Sequence, residues 1–206
     1  EACFARDDRH FSIGVFSPEK GRFATIFEDI TERNRAENSL NESRNRLAQI
    51  IEGSSIATLV IDHEHRITHW NHACERLTGL KVGAMRGSRD HWKAFYPEER
   101  PILADLVAEA GKEKEIEYLY PGIVSRSSLI DNGYEGEDFY PDLGENGRWL
   151  FFTAAPLIAE DGRIAGAIET LQDITERKEA EAALRTEKNF SDSIIDHSPY
   201  PMWVAD

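Results

Sequence analysis

Cysteine is nearly missing: Cys3 and Cys74 are the two in 206 residues. That is too few for a disulfide framework or a cysteine-built zinc site, and it suits a reducing cytosol. Long apolar runs are missing as well. The longest, around Leu150 to Ile158, is strand-like, carries Pro156, and falls short of the roughly 20 residues a membrane-spanning helix needs. Positive charge is the scarcer sign, with 24 Lys and Arg against 38 Asp and Glu and a formal net charge of −14. Phosphate backbones and anionic lipid would both repel such a surface, so neither nucleic acid nor direct membrane contact is expected. Motifs of catalysis are absent too: no G-x-S-x-G, P-loop or H-E-x-x-H occurs, nor the phosphoacceptor histidine and Gly-rich ATP segments of a kinase. The chain is not expected to be an enzyme. It opens on Glu1 without Met or signal peptide, so it reads as a cytoplasmic piece of a longer protein. What is present, 40% hydrophobic and 30% charged residues, is the composition of a globular chain able to bury a core.

An internal repeat organises the chain. Phe27 to Leu40 reads FEDITERNRAENSL and Leu171 to Leu184 reads LQDITERKEAEAAL, with eight of fourteen positions identical. The same spacing carries Ile50, Ile51, Ser54 and Asp62 onto Ile194, Ile195, Ser198 and Asp206. A period this long exceeds the 20–50 residues of solenoid repeats and implies consecutive domains. Between them lie charged helical segments, in which Ala36, Leu40, Leu47 and Ile50 keep a heptad track that Ser43 interrupts. In the second copy Ala180 and Leu184 continue it. A parallel dimeric coiled coil is the expectation, stabilised by its flanking domains because so short a helix is marginal alone. Each helix opens on Asp-Ile-Thr-Glu, with Asp29 or Asp173 expected as N-cap and Glu32 or Glu176 at the third helical position.

The complete unit starts with two short strands, Ala57 to Asp62 and Ile67 to Asn71, around a turn at His63 to Arg66. Short helices follow at His72 to Thr78 and near Lys81 to Met85, then an irregular aromatic stretch, Asp90 to Pro97. A helix is expected from Pro101 to Gly111 and a third strand from Glu115 to Tyr120. Residues 124–147 are polar and Gly-rich and read as an insertion loop. Trp149 to Leu157 alternates, with Trp149, Phe151 and Thr153 on one face and Leu150, Phe152 and Ala154 on the other. Ile164 to Leu171 is the last strand. Two strands, short helices and three more strands make an α+β domain with an antiparallel sheet.

These residues resemble the PAS sensor family. The resemblance rests on Leu59 to Trp70, on Asn71, Ala73, Glu75 and Leu77-Thr78-Gly79, on Gly162 to Ala167, and above all on Asp173-Ile174-Thr175-Glu176-Arg177 and its earlier copy at Asp29 to Arg33. It implies a five-stranded antiparallel sheet with short helices on one face, a cavity between them, and helical linkers that form a homodimer. It also implies a place upstream of a histidine kinase, or of a diguanylate cyclase, in a two-component or similar signalling protein. On that pattern residues 1–30 are the end of a preceding PAS domain, 31–53 a linker, and 47–175 a complete PAS domain carrying the 124–147 insertion. Residues 174–190 are then a second linker and 191–206 the start of another domain.

Candidate chemistry is sparse. His63, His65, His69 and His72 belong to a turn and a strand end and read as surface histidines rather than metal ligands. The long helix lacks the histidine that holds haem in some relatives of this family; His91, ahead of it, would have to reach inward. Cys74 lacks the Asn-Cys-Arg-Phe setting of a flavin-reactive thiol and reads as a small buried apolar residue. No motif supports haem or flavin, so the cofactor is left undetermined. An aromatic and polar set remains as a ligand pocket: Trp92, Tyr96 and Arg100 before the helix, Asp105 within it, and Trp149, Phe151 and Thr153 on the facing strand. Core packing is the competing role of its aromatics, while Arg100 would suit an anionic small molecule. Asp173, Ile174 and Thr175, with Asp29 and Thr31 in the first copy, are the expected signal couplers.

Overall fold

The computed structural model describes residues 2–6, 9–19 and 21–196, in two units, Glu1–Ile51 and Glu52–Asp206. Ser198 and Asp206, and with them most of the expected opening of a third domain at 191–206, lie outside the described residues.

In the first unit β1 (Ala2–Arg6), β2 (Arg9–Glu19) and β3 (Arg22–Asp29) form an antiparallel sheet in that order, and α1 (Thr31–Gly53) follows. Val15, Phe16, Phe23, Ile26 and Phe27 on its strands are more than half exposed. Along α1 only Thr31 is buried; Leu40, Leu47 and Ile50, the apolar track, face solvent.

The second unit is built on six antiparallel strands in the order β5-β4-β9-β8-β7-β6. They are β4 (Ala57–Asp62), β5 (Ile67–Trp70), β6 (Val124–Arg126), β7 (Tyr134–Tyr140), β8 (Arg148–Ile158) and β9 (Ile164–Asp173). Between β5 and β6 run α2 (His72–Thr78), α3 (Val82–Met85), a 3-10 turn (Asp90–Ala94), α4 (Leu103–Val107) and α5 (Glu113–Leu119); α6 (Thr175–Asp196) leaves the sheet after β9. Leu59, Ile61, Trp70, Leu150, Phe152 and Leu171 line the inner face, packed against Cys74, Met85, Ile102, Leu103 and Leu106 from the helical side. Each large side chain buried there contributes about 1.5–3 kcal/mol.

Local chemistry sets where the helical layer begins. Asn71 is fully buried as the cap of α2: its Oδ1 accepts the N–H groups of Thr58 (3.0 Å) and Cys74 (2.9 Å), and its Nδ2 donates to the Ile56 carbonyl (2.9 Å). One side chain thus joins β4 to the first helix. Gly79 ends α2 with φ 77°, the left-handed geometry a C-cap glycine adopts at little cost. Gly166 on β9 serves closeness instead: a Cβ there would stand 2.0 Å from the Ile61 carbonyl oxygen on β4.

The six strands correct the expected five, and the extra one comes from the supposed insertion. Residues 124–147 contain β6 and β7, a hairpin that extends the sheet beside β8. Conversely, Glu115 to Leu119 is helix rather than strand, with Tyr120 as its C-cap, because the inward residues, Ile116 and Tyr120, are four apart. The expected long helix is shorter: Pro101 precedes its cap, Ile102, and the helical turn ends at Val107.

Candidate functional site

The polar centre of the second unit is Asp105, on α4. Its Oδ2 accepts the Ile102 N–H (2.9 Å) at the start of that helix and lies 2.8 Å from His91 Nε2; its Oδ1 lies 2.7 Å from His65 Nδ1. His65 occupies the β4–β5 turn with φ 62°, a left-handed backbone unusual outside glycine, and its Nε2 is 3.2 Å from Glu109. Burial pulls the Asp105 carboxyl upward, but hydrogen bonds and charge from His91, with His65 and Ile102, outweigh it and hold the group below the usual carboxylate range. His91 does reach inward and is 3% exposed. Its Nε2 is spent on Asp105 and is not free to hold an iron.

A second carboxylate lies deeper. Glu169 on β9 is 3% exposed and accepts the Ala104 N–H at 2.7 Å, and burial, with the negative Asp105 nearby, pushes its pKa up to about 8. No feature of the sequence marked it. Beside it Phe95, Tyr96, Tyr120, Tyr140 and Phe152 form one aromatic cluster, with ring centroids 5.7 Å apart for Phe95–Tyr140 and 6.0 Å for Tyr120–Phe152. The Arg100 guanidinium sits 4.1 Å from the Tyr96 ring and 5.2 Å from that of Tyr120. The Tyr96 and Tyr120 hydroxyls lie 3.2 Å apart, and burial raises the pKa of both. These rings occupy the space between sheet and helices, so the residues there do not fit a haem or a flavin.

An open cavity of about 410 Å³ lies on the helical side instead, beside the Asp105 cluster. Trp92, Arg100 and Asp105 line it together with His65 and His91. Tyr96 is not at its surface but under Arg100. Trp149, Phe151 and Thr153 belong elsewhere: they point to the outer face of the sheet, while Leu150, Phe152 and Ala154 point inward. The expected seven-residue pocket therefore splits. Both faces of β8 are apolar at these positions, so alternation defined two sets without saying which was inside.

Trp149 belongs to the strand-to-helix joint. Its N–H donates to Thr175 Oγ1 (3.0 Å), its carbonyl accepts the Ile174 N–H (2.8 Å), and its ring lies 5.2 Å from Lys178 Nζ. Asp173 Oδ1 accepts the Thr175 N–H (3.0 Å) and hydroxyl (2.6 Å). Burial raises the Asp173 carboxyl, yet Thr175 and Arg148 outweigh it and hold its pKa down. In the first unit His10 stands in for Trp149: its N–H donates to Thr31 Oγ1 (2.8 Å), its carbonyl accepts the Ile30 N–H (2.8 Å), and Asp29 Oδ1 takes the Thr31 N–H (3.0 Å) and hydroxyl (2.5 Å). The two joints share one bonding pattern. The aspartates are not the helix caps, however. Ile30 and Ile174 accept the first helical bonds, from Asn34 and Lys178, so each aspartate stands one residue earlier and caps through the residue two ahead.

The PAS domain family model matches residues 55–176, more than half of the chain. The chain belongs to the PAS family. No curated protein matches it. Among solved structures, the PAS domain of Bordetella pertussis BvgS is 20% identical with a TM-score of 0.44, covering 73% of this chain and 98% of that one. The PAS domain of an HTR-like protein from Haloarcula marismortui is 18% identical, TM-score 0.44, over 68% and 99%. A sensory box sensor histidine kinase from Vibrio cholerae is 17% identical, TM-score 0.34, over 68% and 98%. A PAS domain is a sensory module rather than a catalytic one. Among the described residues no helix is long and apolar enough to cross a membrane, and no group of three or more His, Cys, Asp or Glu is placed to hold a metal ion.

Cys74, on α2 of the PAS unit, is fully buried, and burial pushes its thiol up to about 12. It packs as an apolar residue.

Proposed function

We propose that this chain is a signal-relay segment in which the PAS unit regulates an output domain through its helical linkers. A histidine kinase is the first candidate for that output and a diguanylate cyclase the alternative. The supporting observation is the joint: Asp173 and Thr175 tie the first turn of α6 to the β8 backbone at Trp149, so a displacement of β8 must move the helix. Arg148 on β8 adds a 2.6 Å ion pair to Asp173, and Glu137 on β7 takes Arg177 (2.5 Å) and Lys178 (2.6 Å) from α6. On this reading residues 1–30 end an earlier PAS domain and its joint works the same way. Two copies of the chain pair through the exposed Leu40, Leu47 and Ile50 of α1, inside the cytoplasm. A cue that shifts output must bind the two states of the unit unequally.

The test is Asp173→Ala in the protein that carries the output domain. We expect a folded PAS unit, by circular dichroism, whose output no longer answers the signal. Output regulated as in the wild type would overturn the relay.

A second reading is a dimerisation spacer that holds no ligand, favoured by the aromatic cluster that fills the interior. Native mass spectrometry separates the two: a mass equal to the bare polypeptide favours the spacer, and a co-purifying small molecule favours the sensor.

A further inference from the structure

The cavity beside α4 carries an uneven set of charges. Most of its acids are engaged: Asp105 with both histidines, Glu109 with His65 and with Lys112 (3.3 Å), and Glu115 with Lys112 (2.8 Å). Its arginines have no carboxylate partner among the described residues, although Arg100 stacks on Tyr96 and Tyr120. Arg89 has no ion pair or hydrogen bond among the described residues, and Arg100 donates through Nη2 to the neutral Leu119 carbonyl (3.3 Å). Two buried nitrogens on residues of this wall have no hydrogen-bond partner among the described residues: Arg100 Nε, and His91 Nδ1, which donates or accepts according to the ring's tautomer. Arg100 Nε is a donor whatever its surroundings, and a buried donor without an acceptor is costly, so a ligand's acceptor beside it would be favourable. Trp92, Pro101 and Leu106 supply the apolar part of the lining. The volume falls within the roughly 300–1,000 Å³ of small-molecule sites.

We propose that this cavity binds a small organic carboxylate, with its charge held by Arg89 and Arg100 and its apolar body against Trp92. A guanidinium fork matches a carboxylate through two parallel N–H bonds. A single negative charge suits the site better than a phosphate dianion, since four carboxylates also line it: Glu99, Asp105, Glu109 and Glu115. Glu99, exposed and without an ion pair among the described residues, leaves room for an ammonium on the same molecule. The site lies outside the aromatic interior and connects to the relay by a short route. Its wall, α4, bonds through Ala104 to Glu169 on β9, four residues before Asp173.

This inference rests on the reading of the PAS unit as a sensor, and its test measures binding alone. Phenylacetate, L-phenylalanine and 2-phenylethylamine share one apolar body and differ in charge. Each is titrated into the isotopically labelled chain while the Trp92 indole and His91 ring signals are followed by NMR. We expect both acids to shift these signals saturably and the amine to leave them unmoved. Tighter binding of phenylalanine than of phenylacetate assigns Glu99 to the ammonium; the reverse order assigns a simple acid. Both support the site. Arg100→Gln and the exposed Arg89→Gln should each weaken binding roughly tenfold or more, as loss of a charged hydrogen bond does. Arg89→Gln keeps the test decisive if Arg100→Gln fails to fold. Equal binding of the amine, no response to either acid, or unchanged affinity in Arg89→Gln would overturn the proposal. Any of these would leave the relay standing, because the Asp173→Ala experiment reads output and uses none of these three compounds.

Discussion

Ala104 and Glu169 are 65 residues apart in sequence, yet the backbone N–H of the first donates to the carboxylate of the second at 2.7 Å. The bond joins the start of α4 to the inner face of β9, among Ala167, Leu171 and the aromatic cluster. A carboxyl placed there is more stable protonated, since the surroundings replace little of the water that a charge loses.

Stability should therefore carry a signature of Glu169. Its folded pKa, about 8, lies above the ordinary 4.5. The stabilising contribution is fully present below about 4.5, where both states are protonated, and is lost as pH rises through 8, because the unfolded chain releases the proton first. One proton corresponds to about 1.4 kcal/mol per pH unit across that window. Glu169→Gln keeps an acceptor for Ala104 and cannot ionise. Urea denaturation at pH 5, 7 and 8.5 should show the wild type losing stability relative to the variant. A constant difference would show that Glu169 does not titrate in this range.

At the joint, Thr175 Oγ1 accepts the Trp149 N–H. Thr175→Val keeps the shape and removes the oxygen, leaving a half-buried donor at Trp149 and one hydrogen bond fewer on Asp173. A loss of about 1–3 kcal/mol is expected, with Thr175→Ser recovering most of it. Amide exchange over residues 175–182 should quicken in the valine variant alone. Equal protection in Val and Ser variants would argue that the hydroxyl carries no weight.

How far the site could be read from sequence follows the kind of signal each residue leaves. The joint was legible because the bonds between its aspartate and threonine are local and its four letters occur twice, whereas its partners Trp149 and His10 are distant in sequence. The hairpin at β4 and β5 was legible from apolar residues bounded by a polar turn. The β6–β7 hairpin was hidden, since Gly136 sits where an inward side chain would be expected, its place taken by close approach to the Ile123 carbonyl and Phe152. Glu115 to Tyr120 imitated a strand, although the pair that decides the element is Ile116 with Tyr120. Glu169 inverted the usual rule outright, for Ile168 beside it faces the outer side. Only the tertiary structure supplies Ala104 and Asp105 as its neighbours.

Two glycines of the last hairpin should respond differently to a methyl group. Gly162 has φ 82° with nothing within 4 Å of the position a Cβ would take, so Gly162→Ala costs conformational strain alone, about 1 kcal/mol. At Gly166 the same methyl meets backbone on β4, 2.0 Å from the Ile61 oxygen, and the strands must part. Gly166→Ala should cost at least twice as much as Gly162→Ala in chemical denaturation. Similar costs would mean that β4 and β9 tolerate separation at that point.

Cys74 offers a chemical clock for opening of the helical layer. Its thiol is fully buried and burial pushes its pKa up to about 12, so thiolate is scarce and no reagent reaches it in the folded unit. In a Cys3→Ser background, alkylation by iodoacetamide at pH 8 should be slow in buffer and fast in urea. The rate in buffer then reports how often α2 leaves β4. Because Asn71 holds that helix through Thr58 and Cys74, Asn71→Ala should accelerate labelling well before global unfolding. Labelling of the native chain as fast as of the unfolded one would place the thiol in solvent and contradict the packing of α2.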